Sequence, residues 1–251
     1  MQDNINSVVP TIDGSNTLFS QKYNQHFHNL DDGAINESLN KHIIPTINYH
    51  KSKEELNILD MCFGIGYNTL TTIWYLRQNN IHKIINIYSP ELDGELIASL
   101  KDFKYPDEFS ELKEIINSLA TTNKYEDGNI RIEIFIGDAR NYLKSLPKNF
   151  FDIIYQDAFS SEVNMELWTK EYFDDLYYIA RDDCIMSTYS IASPVRLSMN
   201  EAGFFIYEYR PAKRKITLSF KQKQNTIGKY IDMDLKKTRN TTLKAIYDQK
   251  L

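Results

Sequence analysis

A chain of 251 residues with 42% hydrophobic, 25% charged and 13% aromatic side chains has the composition of an ordinary globular α/β unit, which excludes the collagen-like, coiled-coil and wholly disordered classes. Its 29 basic and 34 acidic residues leave a formal charge of −5, which argues against an indiscriminate nucleic-acid binder. The two cysteines, Cys62 and Cys184, form no CxxC pair, so neither a disulfide framework nor a structural metal site is expected, and the setting reads as reducing and cytoplasmic. The opening MQDNINSVVPTIDGSNTLFS has no basic start and no apolar stretch, and no run elsewhere is apolar for the length of a bilayer, so no membrane contact is expected.

Residues 1–50 are polar, with a helical stretch at DGAINESLNKHIIPTI where Ala34, Leu39, Ile43 and Ile44 recur at helical spacing; the segment is read as a cover for the ligand crevice of residues 51–221. From Leu56 short apolar runs alternate with longer amphipathic ones. LNILDM predicts a strand, YNTLTTIWYLRQ a helix, INIYSP a strand, and LDGELIASLKD and EFSELKEIINSLA two helices. IRIEIFI, ARNYLKSL, FFDIIYQD, MELWTKEYFDDLYYIA and CIMSTYS continue as strand, helix, strand, helix and strand. SPVRLSMNEAG predicts a helix closed by Gly203, and FFIYEYR and KITLSFK two strands joined around PAKR. The sum over residues 51–221 is a doubly wound, Rossmann-like sheet of seven strands with a C-terminal antiparallel hairpin, its ligand crevice at the carboxyl ends of the strands. Residues 222–251 read as a basic tail.

The chemistry concentrates at strand ends. Asp60-Met61-Cys62-Phe63-Gly64-Ile65-Gly66-Tyr67-Asn68 joins the first of these strands to its helix, and Gly64 and Gly66 let backbone turn tightly and approach a ligand. Asp60, Cys62, Phe63, Gly64, Gly66 and Asn68 are the cofactor-loop candidates. Glu91 ends the second strand, where a carboxylate accepts hydrogen bonds from ribose hydroxyls. Asp138, in Gly137-Asp138-Ala139-Arg140, could receive an adenine amine or cap the next helix, with Ala139 beside it. Asp157 closes the fourth strand and would emerge over the crevice. Singly, these acids have plainer readings as caps or solvated loop carboxylates; in series they favour a nucleoside ligand.

Together these features resemble class I S-adenosylmethionine-dependent methyltransferases. Gln156-Asp157-Ala158-Phe159-Ser160 with Glu166-Leu167-Trp168-Thr169, and Glu201-Ala202-Gly203-Phe204 followed by Lys213-Arg214-Lys215, are similar to the MnmC-like methyltransferase domain of the bacterial tRNA 5-methylaminomethyl-2-thiouridine biosynthesis family. That family's pattern is DxFxP, then WT, then AGF and a basic RK. Tyr23-Asn24-Gln25-His26-Phe27-His28, with Gly33-Ala34 and Glu37-Ser38, resembles its opening block, so the resemblance runs from about residue 15 to about residue 220. Cys62 stands where the family usually has Gly, and Ser161 near where it has Pro.

The resemblance implies a stand-alone methyltransferase, without flavin or metal, that uses S-adenosyl-L-methionine. Its substrate would be the amine of 5-aminomethyl(-2-thio)uridine at the tRNA wobble position, linking it functionally to the enzymes that make that nucleoside. Asp157 would orient the amine and receive its proton, and His26, Phe27, His28 and Phe159 would contact the lifted base. A polyamine aminopropyltransferase-like enzyme and a non-catalytic RNA-binding module are the alternatives on the same fold. Charge distribution bears on the partner: 17 basic and 30 acidic residues precede Glu208, a net −13, whereas 12 basic and 4 acidic residues from Glu208 onward give +8. Lys213, Arg214 and Lys215 are therefore the expected phosphate contacts.

Overall fold

The structure, a computed structural model, describes residues 7–249. The chain divides into two compact units, Met1–Ala139 and Arg140–Leu251.

The first unit opens with a small antiparallel sheet of β1 (Ser7–Pro10), β2 (Asn16–Ser20) and β3 (Gln25–His26), paired Val8 to Leu18 and Phe19 to His26. This sheet corrects the sequence reading, which gave the segment only a helix, because its strands are short and place apolar residues side by side (Val8-Val9, Leu18-Phe19), which shows no two-residue period. The turn at its tip is built by Asp13, whose Oδ1 accepts from Ser15 N at 3.1 Å and Thr11 Oγ1 at 2.8 Å. Asp13 Oδ2 then accepts from Asn36 N at 3.0 Å, docking the hairpin on the start of a helix. That helix comprises α1 (Ala34–Ser38), a π-helical stretch at Leu39–Ile43 and α2 (Ile44–Tyr49), and it packs on α3 (Tyr67–Gln78).

The main strands of this unit are β4 (Glu55–Met61), β5 (Ile84–Glu91), β6 (Lys124–Asp127) and β7 (Ile130–Ile136), in the spatial order β4-β5-β7-β6. β4, β5 and β7 run parallel, joined through α3 and, after β5, through α4 (Gly94–Ser99) and α5 (Lys113–Thr122). Six of the seven residues of β4 are buried, as expected for a strand covered on both faces. The polar KYED of β6 adds an antiparallel edge strand that the sequence reading did not count.

After α6 (Ala139–Ser145), the second unit contains β8 (Phe151–Gln156), α7 (Lys170–Ile179), β9 (Ala180–Thr188), α8 (Ser193–Glu201), β10 (Phe205–Tyr209), β11 (Ile216–Phe220), β12 (Lys229–Tyr230) and α9 (Met233–Arg239). The strand order is β12-β10-β11-β9-β8, with β8 and β9 parallel and the remaining pairs antiparallel. All seven strands read from the sequence are therefore present in this α/β, Rossmann-like architecture, and β6 and β12 are the corrections to that number. Register aligns Gln156, Thr188, Thr217 and Glu208 in one row across β8, β9, β11 and β10. Among the described residues no helix is long and apolar enough to cross a membrane.

Residues 246–248 lie along α7 and α8. Lys170 N donates to Ile246 O at 2.7 Å, Ile246 N to Ser198 Oγ at 2.8 Å, and Arg140 grips Asp248 with both terminal nitrogens at 2.7 and 2.8 Å. The Arg140 fork outweighs partial burial and holds the Asp248 carboxyl below its ordinary value of 3.8. A depressed folded value makes this pair's contribution present above the unfolded value and lost as acid protonates the folded carboxylate. The pair is partly exposed, so Asp248→Ala is expected to cost no more than about 1 kcal/mol at neutral pH. Limited proteolysis should show residues 240–249 released first in that variant, and in the parent chain only on acidification.

Candidate functional site

In the first unit the loop between β4 and α3 is fixed from below. Asp60 is buried, its Oδ2 accepting from Thr69 Oγ1 at 2.7 Å and its Oδ1 from Asn68 Nδ2 at 3.4 Å, both on the first turn of α3. The Ser89 hydroxyl donates to the Asp60 carbonyl and Phe63 N donates to Pro90 O at 3.1 Å, tying the loop to β5. Asp60 and Asn68 thus brace the loop from inside. Cys62, where the related pattern has glycine, carries φ +66°, a left-handed backbone that costs a side-chain-bearing residue about 1–2 kcal/mol. Gly66 has φ +78°, and a Cβ there would lie 2.7 Å from the Phe63 ring, so only glycine fits.

Gly64 N donates to Glu91 Oε2 at 2.8 Å and Asp93 N to Glu91 Oε1 at 2.9 Å. Burial pushes the Glu91 carboxyl above its usual range, against the pull of these backbone donors. With backbone donors from Asp93, Gly64 and Leu92 on it, the Glu91 carboxylate still has acceptor capacity for a further donor such as a hydroxyl. Gly137 N donates to Glu91 O at 2.8 Å, so β5 and β7 end together, with exposed Asp138 just beyond and Ala139 opening α6. Around these polar groups stand Leu92, 61% exposed, and Phe135 and Ile136, each 38% exposed. This apolar rim, suited to a flat ring, was missed in the sequence; its signal was Leu92 following a strand-ending acid. The set fits a nucleoside cofactor: a carboxylate for hydroxyls, side-chain-free backbone, and apolar surface beside Asp138.

The N-terminal candidates separate. Phe27 lies against the loop, its Cδ1 3.0 Å from where a Gly64 Cβ would stand. His26 is exposed on β3, edge-on to Phe19 at 4.9 Å. His28 is buried at 8% exposure, edge-on to Tyr67 at 5.1 Å, with Nδ1 3.4 Å from Glu37 Oε2. The sequence reading grouped His26 and His28 as equivalent base contacts, whereas the fold exposes the first and buries the second.

In the second unit, Asp157 is half-buried at the first position past β8, and its surroundings explain the local sequence. Gln156, fully buried, donates to Leu167 O at 2.9 Å and accepts from Tyr172 OH at 2.6 Å. Tyr189 OH donates to Ala158 O at 2.9 Å and Trp168 Nε1 to Phe159 O at 2.7 Å. Trp168 is core, and its indole N–H fixes the backbone beside half-buried Phe159. Tyr172 and Tyr189 are positioning residues that sequence reasoning missed, since nothing local distinguishes them among 17 tyrosines.

The basic turn spans 210–215, between Tyr209 and its partner Ile216. It sits at the same end of the strands as Asp157, two to three strands away, or roughly 10–14 Å at about 4.8 Å per strand. Lys213 and Arg214 are exposed there. Lys215 differs: its Nζ lies 2.6 Å from Glu208 Oε1, while Glu208 Oε2 faces buried Arg196 at 3.6 Å. Among the described residues no cluster of three or more His, Cys, Asp or Glu side chains could hold a metal.

The family model for S-adenosyl-L-methionine-dependent methyltransferases matches residues 108–222. The crystal structure of MnmC2 from Aquifex aeolicus superposes with a TM-score of 0.85 at 26% identity, covering 99% of this chain and 80% of that one. These likenesses support an MnmC-like S-adenosyl-L-methionine-dependent methyltransferase domain. Among curated relatives, an uncharacterised protein of Methanocaldococcus jannaschii is 27% identical over 217 residues, covering 85% of this chain and 59% of its own. The tRNA 5-methylaminomethyl-2-thiouridine biosynthesis bifunctional protein MnmC of Leptospira interrogans is 29% identical over 191 residues, 70% of this chain and 27% of its own. This chain thus spans less than two thirds of either relative. A probable spermidine synthase from Corynebacterium glutamicum shares the fold, with a TM-score of 0.62 at 14% identity.

Cys62 gives a direct test of the loop geometry. Cys62→Gly is expected to hold or raise stability, by up to about 1 kcal/mol, whereas branched Cys62→Val should lose about 1–2 kcal/mol. Urea unfolding of both variants measures the difference.

Proposed function

We propose that this chain methylates the amine of 5-aminomethyl(-2-thio)uridine at the wobble position of tRNA. The observation that carries the reading is Asp157, presented at the end of β8 on a backbone locked by Trp168 and Tyr189, at the same strand ends as the basic turn 210–215. Glu91 would hold the cofactor's ribose, the Gly64–Gly66 backbone its methionine portion, and Leu92 with Asp138 and Ala139 its adenine. When bound, S-adenosylmethionine supplies a methyl group on a positively charged sulfur.

The chain's task is then to present a nucleophile. An alkylammonium has no lone pair and an ordinary pKa of about 10.4, so the amine must be held neutral. An Asp157 carboxylate oxygen accepts an N–H bond, which aims the nitrogen lone pair, and receives the proton directly or through water. Alignment of this kind is worth up to roughly 7–11 kcal/mol of barrier. Phe159 offers the lifted base an aromatic neighbour, and Lys213 and Arg214 take flanking phosphates. Lys215, paired with Glu208, contributes less. Residues 25–28 cover the cofactor loop from the N-terminal side. The reading places the enzyme in the cytoplasm, downstream of the enzymes that make the aminomethyl group. For an aminopropyltransferase only the shared fold speaks, at 14% identity.

Asp157→Asn is expected to lower turnover by about 100-fold or more while S-adenosylhomocysteine still binds by calorimetry. Near-parental turnover would sink the assignment. Reversing Lys213 and Arg214 to Glu should raise KM for tRNA about 10-fold and flatten its salt dependence, with cofactor affinity unchanged. Nucleosides from tRNA of a deletion strain, read by mass spectrometry, should accumulate aminomethyluridine.

A further inference from the structure

In the first unit a group of ionisable side chains is buried on the segment that carries Phe27. Glu37 is 11% exposed and Lys41 10%, and the two are in direct contact on successive turns. Asp32 Oδ2 lies 3.6 Å from the same ammonium, and His28 Nδ1 3.4 Å from Glu37 Oε2. Burial opposes the charge on Glu37, yet the contacts from His28 and Lys41 outweigh it and hold the carboxyl below its ordinary range. Burying such a group is costly, and apolar side chains would fill the space more cheaply. What the charge secures is the path of a short stretch of backbone.

Three consecutive residues there have fixed acceptors: Phe27 N donates to Leu18 O at 2.9 Å, His28 N to Thr17 Oγ1 at 3.1 Å and Asn29 N to Glu37 Oε2 at 2.7 Å. The side chains of Phe27 and His28 then take hold of the cofactor loop at two points, Phe27 at Gly64 and His28 at Tyr67, the first residue of α3. Glu37 serves both: it anchors the backbone just after them and meets the His28 ring.

We propose that Glu37 is a positioning residue for the cofactor loop, acting through His28 and Phe27 to set the affinity for S-adenosylmethionine rather than the rate of methyl transfer. The inference rests on the reading that Gly64 and Glu91 hold the cofactor. With the grip intact the loop is pre-organised; without it, binding must order the loop and affinity falls.

The test is a double-mutant cycle on the full chain, read by S-adenosylhomocysteine calorimetry and steady-state kinetics. Glu37→Gln should raise Kd and the cofactor KM by about 5- to 10-fold, with kcat at saturating cofactor within about 2-fold of the parent, and Phe27→Ala should raise Kd by a similar factor. The double variant should lose less than the product of the two single losses, because part of the Glu37 effect runs through the Phe27 grip. Glu37→Asp should fall between parent and Gln. If Glu37→Gln does not fold, His28→Leu takes its place in the cycle with the same expected rise in Kd. Additive losses, an unchanged Kd in a folded Glu37 or His28 variant, or a fall in kcat alone would overturn the proposal. Glu91→Ala separates the two levels: if it leaves cofactor binding intact, the location of the site is wrong; if it abolishes binding while the Glu37 and His28 variants bind normally, only this inference fails.

Discussion

Gly64 donates its backbone N–H to the Glu91 carboxylate, and through that bond the loop after β4 is registered against the end of β5. Much else in the first unit serves to keep that bond in place. Asp60 braces the loop against α3, Ser89 and Pro90 bind it to β5, and Tyr105 donates to the Ile65 carbonyl at 2.7 Å. A loop that must leave its backbone accessible to a ligand cannot rely on its own side chains for rigidity, so rigidity is imported from the elements beneath it. The left-handed backbone at Cys62 is a local cost of the same path, borne because the loop must turn there whether or not the residue is glycine.

The second unit solves an equivalent problem with other means. Its carboxylate follows a fully buried strand, and the backbone on its far side is pinned by side chains donating to the Ala158 and Phe159 carbonyls. Two of the largest polar-tipped residues, Tyr and Trp, do this because they reach across the core with an apolar body and end in one hydrogen-bond donor. The aromatic richness of the chain is thus spent partly on holding functional backbone. The basic hairpin turn is tuned in a similar way: Glu208 neutralises Lys215 and leaves Lys213 and Arg214 to face outward, which shifts the positive face to the tip of the turn.

The sequence by itself determined the α/β alternation, because strands buried on both faces must be continuously apolar and the helices between them amphipathic, and it located each strand-ending acid. It also carried the resemblance in the stretch from Asp157 to Trp168. Short strands without alternation were beyond its reach: β1–β3, β6 and β12 are set by pairing with a neighbour, which leaves no apolar period to read. Tertiary structure alone decided the division of labour among residues that look equivalent in the sequence. Asp60 turned inward while Glu91 took the backbone N–H groups of the neighbouring loops, His28 became a buried contact while His26 stayed in solvent, and Lys215 was paired while Lys213 was left exposed. The physical reason is that a side chain's role follows from its burial and its partners, and those partners, such as Glu91 for Gly64, Tyr189 for Ala158 and Glu37 for Asn29, are brought within hydrogen-bond distance only by the folded chain.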